Sequence, residues 1–234
     1  MKIKKAMILA AGLGNRMKPI TSETPKPLIP IGKKNLLERA INLLISYGIK
    51  EITINVHHLS EKIKKFVLDA EYNLKISISE EKEELLDTGG GVFNAIKNFG
   101  DEPFIVINPD TLWNENYKKE LESLEKLYFK HKKPILLLVS KNLSFDKSFK
   151  GDFNIDKNRV INREKNNSYI FTGLQILNRS IFDLKETRKV FSMNEIWDNL
   201  ISSSNLIGFE SKQKFYHINT KEIYDKILKL NIID

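Results

Sequence analysis

The 234-residue chain contains no cysteine, which excludes disulfides, thiolate metal sites and cysteine nucleophiles. It has no apolar stretch approaching the ~18 residues of a membrane span. The apolar run after its charged start, "MKIKKAMILAAG", falls short of the ~7–15 residues of a signal-peptide core. A protein of the cytoplasm with no membrane partner is the resulting expectation. There is no Pro- or Ser-rich linker, no low-complexity tract and no repeat. Arginine is scarce, 6 residues against 32 lysines, within a net charge of +8. No basic run carries interleaved aromatics or a recognisable binding module, so the charge does not predict nucleic acid as a partner.

What the chain does have is alternation. Short apolar runs at 5–10, 51–58, 74–79, 103–108 and 134–140 are separated by amphipathic stretches at 35–48, 60–71, 89–100 and 117–131. In "NLLERAINLLISYG" the apolar residues Leu36, Leu37, Ala40, Ile41, Leu44 and Ile45 recur at helical spacing, and Gly48 stands as a stop. Strand, helix, strand predicts an α/β fold with a mostly parallel, Rossmann-like sheet and helices on both faces. After about residue 141 the strands become shorter: 151–156, 159–164, 169–177, 206–211 and 214–219, with helices at 193–203 and 221–230. One domain over 1–234 is expected, with a nucleotide-binding lobe over about 1–140 and a smaller, β-containing lobe over about 141–234.

Ligands of such a sheet bind at the carboxyl ends of the strands. The first strand runs directly into "LAAGLGNRMKPITSETPKPL". Gly12 and Gly14 allow backbone amides to approach an anion. The stretch has neither the third glycine and acidic residue of a dinucleotide fingerprint nor the Gly-Lys-Ser/Thr ending of a P-loop. Arg16 offers a planar fork for phosphate oxygens and Lys26 a point charge. Pro25 and Pro27 stiffen the backbone on either side of Lys26, and a fixed cation suits electrostatic catalysis. Lys18 reads as a solvated surface charge.

These residues resemble the signature of the sugar-phosphate nucleotidyltransferases, enzymes that join a nucleoside triphosphate to a sugar 1-phosphate and release pyrophosphate. Similarity continues in "LLDTGGGVFNAI", "FIVINPDTLW", "GDF" and "REKNNSYIFTGLQIL". The resemblance implies that Arg16 holds the departing pyrophosphate, Lys26 meets the α-phosphate, and Ala10, Ala11, Gly12, Leu13 and Gly14 cradle the nucleotide. It implies that Asp110 binds Mg²⁺, with Arg16, Lys26 and Asp110 as the catalytic set. Asn108 would touch ribose or sugar, and Gly89 and Gly90, in the run to Gly91, would leave room for the base. Glu81, or its neighbour Glu80, would read the base edge. Gly151 and Glu164 would contact sugar hydroxyls and Lys165 the sugar phosphate. No Ser, Cys or His nucleophile is required, because a sugar phosphate is largely dianionic at neutral pH and can itself attack the α-phosphorus.

One departure stands out. Where the family carries Asp-x-Gly-Thr on a late strand, with the Asp a second metal ligand, this chain has "HINT", placing His217 and Asn219 there. Imidazole is a poor partner for Mg²⁺, so His217 would either bond the substrate phosphate or accept the softer Mn²⁺. His57 and His58 lack acidic or sulfur companions and read as cleft lining or cap. Within the family the chain is similar to the short uridylyltransferases that act on N-acetylmuramic acid α-1-phosphate in cell-wall recycling. Mannose-1-phosphate guanylyltransferases share most of the same features, and a phosphocholine cytidylyltransferase is a third possibility. A non-catalytic nucleotide-sugar sensor is the reading from another class, and the oligomer is expected to be a monomer or a small homo-oligomer.

Overall fold

The computed structural model describes residues 2–185 and 188–230. In chain order the elements are β1 (Lys5–Leu9), α1 (Ile20–Glu23), β2 (Pro30–Ile31), β3 (Lys34–Asn35), α2 (Leu36–Tyr47), β4 (Glu51–Val56), α3 (Ser60–Asp69), β5 (Lys75–Glu80), α4 (Asp87–Ala95), β6 (Phe104–Ile107), α5 (Tyr117–His131), β7 (Ile135–Ser140), β8 (Asn154–Ile155), β9 (Ile161–Asn162), β10 (Tyr169–Leu177), α6 (Met193–Ser202), β11 (Ile207–Ser211) and α7 (Lys221–Leu228). Seven strands form one sheet in the order β11-β7-β10-β6-β1-β4-β5. Only β10 runs antiparallel to its neighbours.

The centre of the sheet is buried on both faces, which is why β1, β6 and β7 are apolar runs, while the edge strand β5 alternates and is only half-buried. Ala6 and Ile8 of β1, with Ile105 and Ile107 of β6, point into a core shared with Leu37, Leu44 and Tyr47 of α2 and Leu121 and Leu124 of α5. Met7, Phe104 and Val106, one residue out of step, point into the opposite core with Val92, Phe191, Ile196 and Trp197. The period-two alternation of a strand therefore sorts one apolar run into two cores. Local signals set the helix ends. Asn35 caps α2 by accepting from the Glu38 N–H, and Gly48, at φ 108°, closes it with N–H bonds to Leu44 and Ile45. Ser192 and Glu195 form a reciprocal capping box at the start of α6.

The second half of the chain differs from its sequence pattern in an instructive way. Of the short strands expected after residue 141, β10 and β11 belong to the main sheet, β10 lying between β6 and β7. β8 and β9 shrink to a two-residue pair. The stretch 214–219 forms no strand. It threads between two loops on isolated bridges, Ser144 to Phe215 and Thr111 to His217. Its backbone bonds alternate between them: Phe215 with Leu143 and Phe145, Tyr216 with Leu112, and Ile218 with the Asp110 carbonyl. Bonds divided between two partners make no ladder, and they carry His217 up to Asp110.

Candidate active site

The loop after β1 is shaped by a few local requirements. Gly14 has φ 65°, and a Cβ there would lie 2.8 Å from Thr21 Cγ2, so only glycine fits. The Thr21 hydroxyl donates to the Gly14 carbonyl at 2.9 Å and locks this turn. Around Gly12 a Cβ would meet nothing within 4 Å, so this backbone is open to a ligand. Together with Ala10, Ala11, Arg16 and Lys26, both glycines line a cleft of about 350 Å³. Leu13 does not line it; its side chain is turned outward and 40% exposed.

Opposite Lys26 lies the loop after β6, pinned from several sides. The Asn108 N–H donates to the Gly173 carbonyl at 2.7 Å, and the buried Trp113 indole N–H donates to the Asn108 carbonyl at 2.7 Å. Thr111 Oγ1 donates to the Thr172 carbonyl at 2.7 Å. Gly173, at φ 90° in an irregularity of β10, has Asn108 packed where its Cβ would be. The tryptophan of the Asn-x-Asp-x-x-Trp pattern is thus a strut that fixes the backbone carrying Asp110.

Lys26 Nζ meets Asp110 Oδ2 at 2.5 Å, with both side chains mostly buried. His217 Nδ1 lies 3.7 Å from the other oxygen, Asp110 Oδ1. Neither of these two facing atoms has a hydrogen-bond partner among the described residues, and nor does Asn219 Oδ1. Burial, the largest single influence on Asp110, raises its pKa, but the positive charges of His217 and Lys26 and the Lys26 hydrogen bond outweigh it and hold the carboxyl at about 2. His217 is pushed below its ordinary value, first by burial and then by Lys26 and Arg16, with Asp110 and Asp146 opposing. At neutral pH the imidazole is therefore uncharged and the carboxylate ionised.

An oxygen and a nitrogen donor, buried, unpartnered and facing one another, fit a divalent cation whose remaining positions are filled by water and phosphate oxygens. Among the described residues no cluster of three or more His, Asp or Glu side chains is placed to hold a metal. Asn219 reaches the cleft wall and is held by its amide, which donates to Asp146 Oδ2 at 3.1 Å.

At the other end, Glu81 is buried on the cleft wall, whereas Glu80 is tied to Ser60 and Lys64 beside α3. Both Glu81 oxygens are already engaged. Oε1 accepts from Asn55 Nδ2 at 2.7 Å and Oε2 from the Leu86 N–H at 2.9 Å. Asn55, a buried amide near the end of β4, carries no motif that marks it in the sequence; its Oδ1 accepts the Ala10 N–H at 2.7 Å.

Three expectations need correction, and one further set of residues lies outside this cleft. Gly89 and Gly90 do not open space for a base: both amides donate to the Phe191 carbonyl, and a Cβ would collide with Phe191 at one and the Lys189 carbonyl at the other. They seat α4 against the 189–191 segment, and Leu85, Asp87 and Thr88 form the cleft wall. Leu13, as noted, is off the wall. His57 and His58 are ties: Nδ1 of His57 donates to the Glu81 carbonyl and Nε2 of His58 to the Thr21 carbonyl. Gly151, Glu164 and Lys165 do not line this cleft. Gly151, at φ 88°, packs on the Asn167 carbonyl, and the Glu164 N–H donates to Asn167 Oδ1. The structure does bring together Ala10, Ala11, Gly12, Gly14, Arg16, Lys26, Glu81, Asn108 and Asp110.

The chain is similar to known proteins. The profile of the Nucleotidyl transferase family matches residues 5–143. An N-acetylmuramate alpha-1-phosphate uridylyltransferase of Neisseria meningitidis is 34% identical over 87% of this chain and 90% of its own. A D-glycero-alpha-D-manno-heptose 1-phosphate guanylyltransferase of Campylobacter jejuni is also 34% identical, over 82% and 83%. The crystal structure of HddC from Yersinia pseudotuberculosis complexed with GMP-PN superposes with a TM-score of 0.76 at 28% identity, covering 97% of this chain and 99% of that one. No described helix is long and apolar enough to cross a membrane. With the glycine loop, the Lys26–Asp110 pair and these relatives in agreement, the chain belongs to the Nucleotidyl transferase family, as one of its sugar-1-phosphate nucleotidyltransferases.

Proposed function

We propose that the chain joins UTP to N-acetylmuramate α-1-phosphate, giving the UDP-sugar and pyrophosphate, in the cytoplasm and in the service of cell-wall recycling. The observation that carries the transfer chemistry is the convergence of Arg16, Lys26 and Asp110 on one cleft beside the open backbone of Gly12. The choice of substrates leans on the Neisseria relative, which matches nearly end to end.

In this reading the loop amides and Arg16 hold the β- and γ-phosphates, and Lys26 turns from Asp110 to the α-phosphate. The sugar phosphate oxygen attacks the α-phosphorus in line, forming the new P–O bond as the bond to pyrophosphate breaks. Arg16 and Lys26 offset the charge that develops, so positioning and fixed electrostatics supply the catalysis. Mg²⁺, held by Asp110 with His217 beside it, would supply further neutralisation of phosphate oxygens. The imidazole gives the site a donor suited to Mn²⁺ as well. Gly151, Glu164 and Lys165 remain our candidates for the sugar and its phosphate, approaching from beyond the cleft described above.

One observation favours a guanylyl reading instead. Asp87 stands exposed at the rim of the cleft, and a carboxylate is the natural acceptor for the paired N–H groups of guanine. A matrix of the four nucleoside triphosphates and several sugar 1-phosphates, with Mg²⁺ or Mn²⁺ and pyrophosphate release as the readout, tests both. Turnover of UTP with N-acetylmuramate α-1-phosphate alone is the expected result. Turnover confined to GTP would replace the base, and no release from any pair would overturn the reading.

A further inference from the structure

Asn55 bridges two parts of the cleft wall that are far apart in sequence. Its Oδ1 accepts the Ala10 N–H at the root of the glycine loop, and its Nδ2 donates to Glu81 Oε1, both at 2.7 Å. Glu81 Oε2 then accepts the Leu86 N–H at the opposite lip, at 2.9 Å. The order of donors fixes the amide orientation, since a backbone N–H lies on one side and a carboxylate on the other. All three bonds are short, and Asn55 and Glu81 are 1% and 4% exposed. Gly91 completes the enclosure: a Cβ there would lie 2.8 Å from Asn55 Nδ2 and 2.9 Å from Glu81 Oε1.

With one hydrogen bond to each oxygen, two of the four in-plane accepting positions of the Glu81 carboxylate, one on either side, are directed at protein groups. We propose that Asn55 and Glu81 are a pair of positioning residues that set the distance between the Ala10 amide and the Leu85–Leu86 lip, and with it the affinity for nucleoside triphosphate. Glu81 does not itself read the base. This inference rests on the nucleotide-binding reading of the cleft.

The polarity of the bridge can be reversed. N55D alone sets two carboxylates face to face. E81Q alone leaves an NH₂ group against either Asn55 Nδ2 or the Leu86 N–H. In both, a buried pair of like groups opposes the bridge, and a loss of at least about tenfold in nucleotide affinity is expected. With N55D and E81Q combined, the carboxylate at 55 accepts from Ala10 and from the new amide at 81, whose oxygen accepts from Leu86. Three hydrogen bonds and the same net charge are restored.

The experiment measures UTP and GTP binding by calorimetry, the melting temperature, and KM for nucleotide and for sugar phosphate, in the wild type, both single variants and the double variant. The expected result is recovery of melting temperature and nucleotide affinity together in the double variant, with the single variants raising KM for nucleotide much more than KM for sugar phosphate. Recovery of melting temperature without nucleotide affinity would mean that the Glu81 carboxylate contacts the base, and overturns the proposal. So would single variants that keep full affinity. Should the double variant not fold, G91A, which wedges the bridge from α4, must raise KM for nucleotide; a folded G91A with unchanged nucleotide affinity refutes the positioning role. A wild-type chain that binds neither nucleotide overturns the functional reading itself, and this inference with it.

Discussion

The two ends of the cleft are built on opposite plans. At the base end, Asn55, Glu81, Ala10 and Leu86 satisfy one another with three short hydrogen bonds. At the phosphate end, Asp110 Oδ1, His217 Nδ1 and Asn219 Oδ1 are buried without partners among the described residues, and the Lys26 ammonium is matched only by Asp110. Burial of unmatched polar atoms is unfavourable. Its concentration beside Lys26 is where, in the proposed function, a substrate would complete the bonds. One end is a frame, and the other is a set of charges held in readiness.

That contrast can be broken experimentally. The largest effect should come from the phosphate end: Lys26→Ala and Asp110→Ala each lower turnover by at least ~100-fold, measured as pyrophosphate release, as expected for loss of a preorganised charge. Near-normal rates in either would remove that residue from the catalytic set. Next is acid stability. The Asp110 pKa in the folded chain is about 2, against an ordinary 3.8. Its contribution is therefore complete above about pH 4 and is lost as pH falls through about 2, a difference of roughly 2 kcal/mol. Urea unfolding of Lys26→Ala across pH 2–4 should show a shallower dependence than the wild type, and an unchanged slope would rule out Lys26 as a source of the depressed value.

A smaller effect, about 1–2 kcal/mol of unfolding free energy, is expected for Gly14→Ala, which combines a positive φ with contact against Thr21. His217→Asp should keep or raise activity with Mg²⁺, while shifting any preference away from Mn²⁺. A folded but inactive variant would show that the imidazole itself is needed. Smallest of all, Lys221→Ala removes an exposed pair with Asp225 and should change stability by less than about 0.5 kcal/mol.

Much of the architecture was legible because burial leaves a simple mark: fully covered strands become unbroken apolar runs, and α2 carries its own cap and stop. The glycine loop was legible for a similar reason, since its conformation depends on residues within a few positions of one another. What escaped depended on distant partners. Nothing in "FYHIN" shows that its backbone bonds are shared between 110–112 and 143–145 instead of forming a ladder. Nothing in the Gly89–Gly91 run shows that two of its glycines face the 189–191 segment and the third faces the Asn55–Glu81 pair. Glu81 was legible as a cleft residue, but its hydrogen bonds were not, because both its partners are 5 or more residues away: Asn55 on another strand and Leu86 across a turn.

The position of β10 bears on how the chain is made. Within the sheet β7 pairs only with β10 and β11, both of which leave the ribosome after it. The family profile ends at residue 143, yet a nascent chain of that length has β6 and β7 with no strand between them, each offering an open edge. Asn108 has no Gly173 carbonyl to meet, so the loop bearing Asp110 lacks one of its anchors. Synthesis therefore delivers the glycine loop early and the anchor of its counterpart late. Between the two events β6 has one open edge and β7 two, and these apolar edges must be kept from one another.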